Sequence, residues 1–256
     1  MENMKQDISR TSTSEQKRYW GLWGTIGFSF IVCLVFILVQ MIAVLLLGDF
    51  IIGTQFEKYP ELVIHGLENN GLFLAITLLL TSIICSGLII AFAALHRQTP
   101  VKEYLHFQPV ALKQLLPYLG IMLIFAASYN GLCYFLDKPI VPEFMITAYQ
   151  SAGIYPLFFF SFILAAPFLE ELFFRGFLLD GLRQSFIGPV LAVIITAGFW
   201  GAIHTQYDSL EIAFIVGMGL ILGYARIKTR SIFTPFLMHA MINAIAMIEV
   251  TSLLQA

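Results

Sequence analysis

The chain has 256 residues, of which 59% are hydrophobic and 12% charged, with a mean hydropathy of +0.84 and a formal net charge of −2. Soluble domains carry about 25% charged residues, so this composition excludes an ordinary water-soluble enzyme. No concentrated basic patch is present, which argues against nucleic acid as a partner. The fold class expected is all-α, a polytopic transmembrane helical bundle.

Residues 1–24 form a polar tail, expected to be cytoplasmic, with its first 18 residues disordered. Seven apolar stretches follow, at 25–47, 71–95, 115–136, 154–179, 188–203, 212–226 and 232–250. Each approaches the length of about 20 residues that crosses hydrocarbon; the sixth is short and weakly bounded. With the N-terminus inside, the inner segments hold Lys5, Arg10, Lys17, Arg18, Arg97, Lys102, Lys113, Arg183, Arg226, Lys228 and Arg230. The outer loops hold only Lys58 and Lys138, as the positive-inside rule requires. Those outer loops are instead acidic, with Asp49, Glu57, Glu61, Glu68, Asp137, Glu143, Asp208 and Glu211.

The expected location is a membrane crossed several times, with the first span a retained anchor; a short chain without a targeting peptide suggests a bacterial inner membrane, and the endoplasmic reticulum fits the hydropathy equally. Cys33, Cys85 and Cys133 each fall inside a predicted span and read as packing residues. His65, His96 and His106 read as solvated and idle. Residues 25–153 contain few intramembrane polar groups, chiefly Gln40 and Asn130, and read as a scaffold of three spans. Residues 154–256 contain nearly all the intramembrane ionisable groups and read as a functional core of four helices.

The core carries three polar constellations. Glu170 and Glu171 sit in the run Phe168-Leu169-Glu170-Glu171-Leu172-Phe173-Phe174-Arg175. Charge in lipid costs several kcal/mol unless paired or hydrated, so such groups mark candidate sites. Glu171 and Arg175 are spaced for an intrahelical ion pair. Glu170, about 100° away on the helix, has no local cation and is left to face a cavity as a general base. The bland alternative is that both acids mark a helix end and snorkel outward. Trp200 and His204 share a helix face, either as an interfacial pair or as groups that orient water or a metal. His239 and Asn243 share another, either as interhelical hydrogen-bonding groups or as donors to a developing oxyanion. Glu170, His204 and His239 are expected within about 8 Å of a common point, where one water can bridge them. That requires the fifth helix to extend below the membrane surface.

Glu-Glu-x-x-x-Arg, aromatic-x-x-x-His and His-x-x-x-Asn, in this order on successive membrane helices, resemble the motifs of the CPBP family. That family comprises CAAX-type prenyl-protein endopeptidases and bacteriocin-processing or immunity (Abi) proteins. The likeness covers residues 170–243, with Trp200 where the family usually has Phe. It implies a glutamate-dependent intramembrane endopeptidase acting on membrane-associated proteins or peptides, CAAX-like ones among them. On that resemblance Glu170 would activate water, His204 would hold it, and His239 and Asn243 would stabilise the oxyanion. Glu171 and Arg175 would order the site, with Trp200 beside them, in a cavity open to the cytoplasm. The implied partners are the bilayer and a peptide substrate, with no cofactor. A rival reading gathers Glu170, His204 and His239 around zinc. Others are a non-catalytic immunity or scaffold protein and a proton relay or transporter.

Overall fold

The computed structural model describes residues 19–53 and 57–255. The expected disordered tail, 1–18, lies outside the described residues. Those residues are helical, with no strand among them. In chain order they form α1 (Leu22–Ile52), α2 (Pro60–Glu68), α3 (Gly71–Leu95), α4 (Val101–Tyr104) and α5 (Leu112–Phe135). Then come α6 (Glu143–Gln150), α7 (Tyr155–Arg183), α8 (Gly188–Ala202), α9 (Ser209–Thr229) and α10 (Phe233–Gln255). Six of them, α1, α3, α5, α7, α9 and α10, are long and apolar enough to cross a membrane. The chain is a polytopic helical bundle.

The spans differ from expectation in one place. The fifth predicted stretch, 188–203, is α8, of 15 residues and within one residue of its expected end. At 1.5 Å per residue it reaches about 22 Å, short of the roughly 30 Å hydrocarbon core. The sixth, expected to be short, is the 21-residue α9. Asp208 and Glu211 form a reciprocal capping box at its start. At its other end Arg226 is not a loop charge but is buried, with Nη2 donating to Asp180 at 2.7 Å. A paired arginine lets the helix run on where hydropathy alone would stop it.

α7 is the central helix and is irregular on both sides of its acids. Its α-helical stretch Ala166–Glu171 is flanked by π-helical segments, Ser161–Ala165 and Leu172–Leu178. Pro167 supplies a reason for the first, because it has no N–H to donate back along the helix. Such π segments are frequent at functional sites.

α8 and α9 meet through small residues, the usual device where lipid gives helices no hydrophobic drive to associate. A Cβ on Gly201 would lie 2.4 Å from the Val216 side chain. One on Gly219 would lie 3.0 Å from the Ala197 Cβ and 3.1 Å from the Trp200 ring. This close contact fixes the position of Trp200.

Hydrogen bonds tie together the two ends of the bundle. At the basic end, the Ile232 amide donates to the His106 carbonyl, and Tyr19, His106, Arg183 and Arg226 gather around Asp180. At the acidic end, Lys138 holds Asp208 at 2.7 Å and the Gly71 amide donates to Ser151 Oγ. The solvated reading holds for His65 and fails for the other two loop histidines. His96 is buried against the rings of Trp20 and Tyr104. His106 lies 2.7 Å from the Tyr19 hydroxyl and 3.2 Å from Asp180. The cysteines are free, with Cys85 and Cys133 buried.

Candidate active site

Glu170 and Glu171 leave α7 in different directions, as neighbours on a helix must. Glu171 is fully buried and takes two partners on Oε1: Arg175 Nη1 at 2.8 Å and His239 Nδ1 at 3.0 Å. Arg175 is also fully buried, with Nη2 donating to the Gly219 carbonyl and its guanidinium 4.6 Å from the Trp200 ring centre. The expected ion pair is thus part of a wider brace joining α7, α8, α9 and α10.

Glu170 has no arginine or lysine beside it. Its Oε2 accepts a 2.5 Å hydrogen bond from the Trp200 indole N–H, and the residue lines a cavity of about 460 Å³. Trp200, His204, His239 and Asn243 line the same cavity; Glu171 and Arg175 do not.

Trp200 is the hub. Its ring centre is 5.3 Å from that of His204 and 5.1 Å from that of His239, and both rings meet it nearly edge-on. His204 lies just beyond α8, not on it. The last carbonyls of a helix have no partner within the helix; here the Trp200 carbonyl accepts from His204 Nδ1 at 2.6 Å. A carbonyl can only accept, so the proton is on Nδ1 and Nε2 of a neutral ring is an acceptor. His204 is thereby held against Trp200, whose indole N–H binds Glu170.

Asn243 takes a second role. Its Nδ2 donates at 2.8 Å to the Phe162 carbonyl, within the first π segment of α7. It thereby fastens α10 to the irregular part of α7, and one amide proton remains. No group of three or more His, Cys, Asp or Glu among the described residues is placed to hold a metal ion.

The cavity reaches beyond the expected core. Phe36 and Gln40 of α1, Ser82 of α3 and Asn130 of α5 form part of its wall. All its lining residues lie away from the basic end. They include Glu68, Glu211 and Glu249 at the acidic ends of α2, α9 and α10. The cavity is thus lined by residues other than those of the Asp180 cluster. Tyr207 also lines the cavity, stacked on His204 at 6.1 Å, and burial raises its phenol pKa. Sequence patterns missed Glu211 and Glu249, which belong to no local pair with the motif residues, and Tyr207, which meets His204 through a loop turn and not through helical spacing.

Fold and site together define a multi-pass helical membrane protein with an acid–imidazole centre on a largely apolar cavity. The family model described as type II CAAX prenyl endopeptidase Rce1-like matches residues 152–245. That segment contains all three motifs, and the resemblance drawn from them holds over it. An Escherichia coli protein described as an uncharacterized 24.3 kDa protein is 33% identical over 81 residues. The aligned part covers 31% of this chain and 37% of that relative. No solved structure matches.

Proposed function

We propose that the protein is a glutamate-dependent intramembrane endopeptidase that hydrolyses peptide bonds of membrane-associated proteins or peptides. The observation that carries this reading is Glu170: a carboxylate on a cavity, held by an indole N–H and by no ion pair, with two imidazoles around the same tryptophan. The Rce1-like match over 152–245 supports the same class of chemistry.

In this mechanism, Trp200 holds Oε2 of Glu170 and leaves Oε1 to take a proton from water. His204, its Nδ1 spent on the Trp200 carbonyl, offers Nε2 as an acceptor for the same water. The oriented water attacks the peptide carbonyl, and positioned acid–base catalysis of this kind contributes roughly 10²–10⁴-fold. His239 keeps Nδ1 on Glu171, which fixes its ring beside the oxyanion, and the remaining amide proton of Asn243 donates to that oxyanion. Glu171 and Arg175 hold His239 and Trp200 in place. Glu170 then passes its proton to the leaving amine. The charge pattern supports a bacterial inner membrane with the N-terminus cytoplasmic, which would place the cavity toward the outer face.

The test compares membrane-peptide termini in cells carrying the wild type or Glu170→Gln at matched abundance. Termini that appear only with the wild type establish the protease and identify its clients. Identical sets, with both proteins rescuing one phenotype, would replace catalysis with a binding role. Activity of the purified protein should survive chelator treatment.

A further inference from the structure

We infer that Tyr207 is a positioning residue: its ring fixes the imidazole of His204, and the short helix α6 fixes Tyr207 in turn. This rests on the endopeptidase reading for the use to which His204 is put, though not for how its ring is held.

His204 lies beyond the end of α8, at the head of the turn Thr205-Gln206-Tyr207, in which Thr205 and Gln206 are exposed. Helix geometry therefore does not orient its ring. The hydrogen bond between Nδ1 and the Trp200 carbonyl fixes one atom and leaves the imidazole free to pivot about it. Two ring contacts limit that pivot. The Trp200 ring meets the imidazole nearly edge-on at 5.3 Å between centres, and the Tyr207 ring stacks on it at 6.1 Å with 27° between planes. Both separations lie in the range of about 4.5–7 Å over which aromatic rings attract. Trp200 is set by the close packing of α8 on α9. Tyr207 stands in a turn and needs another support.

That support comes from α6, in the part of the chain that carries no motif. The Tyr207 hydroxyl donates to Met145 Sδ at 3.6 Å, and the Phe144 ring meets the phenol edge-on at 5.6 Å. Met145 is itself buried, in a cluster with Ala75 of α3, Phe158 of α7 and Val250 of α10. The neighbouring Asp208 is gripped by Lys138, from the loop that leads into α6. Phe144, Met145 and Tyr207 line the same cavity as His204. A thioether is a weak acceptor, so the phenol ring contributes more to this arrangement than its hydroxyl does. Displacing a reacting group by about 1 Å can cost 10²-fold in rate, which is what a loosened His204 would do.

The experiment uses the full-length protein in nanodiscs, with histidine nitrogens isotopically labelled, and has two readouts. One is cleavage of a fluorogenic peptide built on a terminus found only with the wild type. The other is the NMR signal of the His204 ring nitrogens, assigned by its loss in His204→Gln. Tyr207→Leu should lower kcat about 10–100-fold with KM nearly unchanged, and should turn a single tautomer, protonated on Nδ1, into a mixture. Tyr207→Phe keeps the ring; its kcat should stay within about threefold of wild type, the size of a weak hydrogen bond, and its tautomer should be that of the wild type. Met145→Ala withdraws the support without altering the turn and should move both readouts as Tyr207→Leu does, by less; it decides the matter if Tyr207→Leu does not fold. A lower thermal midpoint with kcat and tautomer unchanged would make Tyr207 merely structural and overturn the inference. Equal losses in Tyr207→Phe and Tyr207→Leu would assign the role to the hydroxyl, and a change confined to KM would place Tyr207 against substrate; either overturns it too. If the wild type cuts no peptide, the endopeptidase reading fails and the NMR signal alone decides: a mixture in the variants upholds the positioning role, and an unchanged tautomer ends it.

Discussion

Helix α7 carries two buried charge networks of similar make. Near its middle, Glu171 binds Arg175 one turn on and His239 from α10. Toward its basic end, Asp180 binds Arg183 of the next turn, Arg226 from α9 and His106 from a loop. Both join an acid to an intrahelical arginine and a distant histidine, and both knit helices together. Only the first has a second acid beside it. Glu170 faces the cavity with an indole N–H as its partner, whereas Asp180 is enclosed and has two arginines. A buried ion network is thus not itself a sign of a reaction centre. The sign is an acid left over when the network is satisfied, placed where a substrate can reach it.

The largest expected effect separates the two networks by what is lost. Glu170→Gln should lower peptide cleavage about 10³-fold or more, within the range for a removed general base. Its thermal midpoint should stay within a degree or two, because surrounding packing is unchanged. Asp180→Ala should do the reverse. It leaves Arg183 and Arg226 without their acid and should cost about 3–5 kcal/mol of stability, read by unfolding in mixed micelles. Equal losses of stability in both variants would erase the distinction between the networks. Arg175→Ala belongs with Asp180→Ala, since it leaves Glu171 with only His239; its folded yield should fall below that of Glu170→Gln.

Trp200→Phe sharpens the comparison within the cavity. The ring that packs against Arg175, His204 and His239 remains in part, while the N–H on Glu170 is lost. A hydrogen bond to a charged group contributes about 1.5–3 kcal/mol, so kcat should fall at least tenfold with KM unchanged. A change confined to KM would mean that Trp200 contacts substrate and does not position Glu170.

The cavity centre was more legible in sequence than its surroundings, for a physical reason. Pairs such as Glu171 with Arg175, or Trp200 with His204, are four residues apart, and helical periodicity puts them on one face. The cost of charge in lipid then marks them as functional. Partners distant in sequence leave no such mark. Asp180 meets His106 and Arg226 only through the packing of separate elements, so His106 looked idle and Arg226 looked like a loop charge. Glu68 and Glu211 were read as loop charges for the same reason, and Glu249 fell inside the last predicted span without being singled out. Hydropathy found the spans, α8 to within one residue, but not that His204 caps the Trp200 carbonyl, a contact between side chain and backbone.

The smallest predicted effect is at the basic network. Burial is the main cause that pushes the Tyr19 phenol up to about 12 from its ordinary 10.0, and the Asp180 charge adds to it. A folded pKa above the unfolded value favours the protonated phenol in the native state. Its stabilising contribution is therefore complete below pH 10 and is lost as pH rises toward 12. Tyr19→Phe removes an ionisable group from that window and should flatten the decline in thermal midpoint above pH 10. The flattening should be partial, because burial also raises Tyr104 and Tyr207. At neutral pH the same variant loses its hydrogen bond with His106 and should be less stable by about 1 kcal/mol. Cleavage by the wild-type centre should not change with this substitution at neutral pH, because Tyr19 belongs to the network that lacks a spare acid. A large fall in kcat there would show that the two ends of α7 are coupled and that their division into brace and reaction centre is wrong.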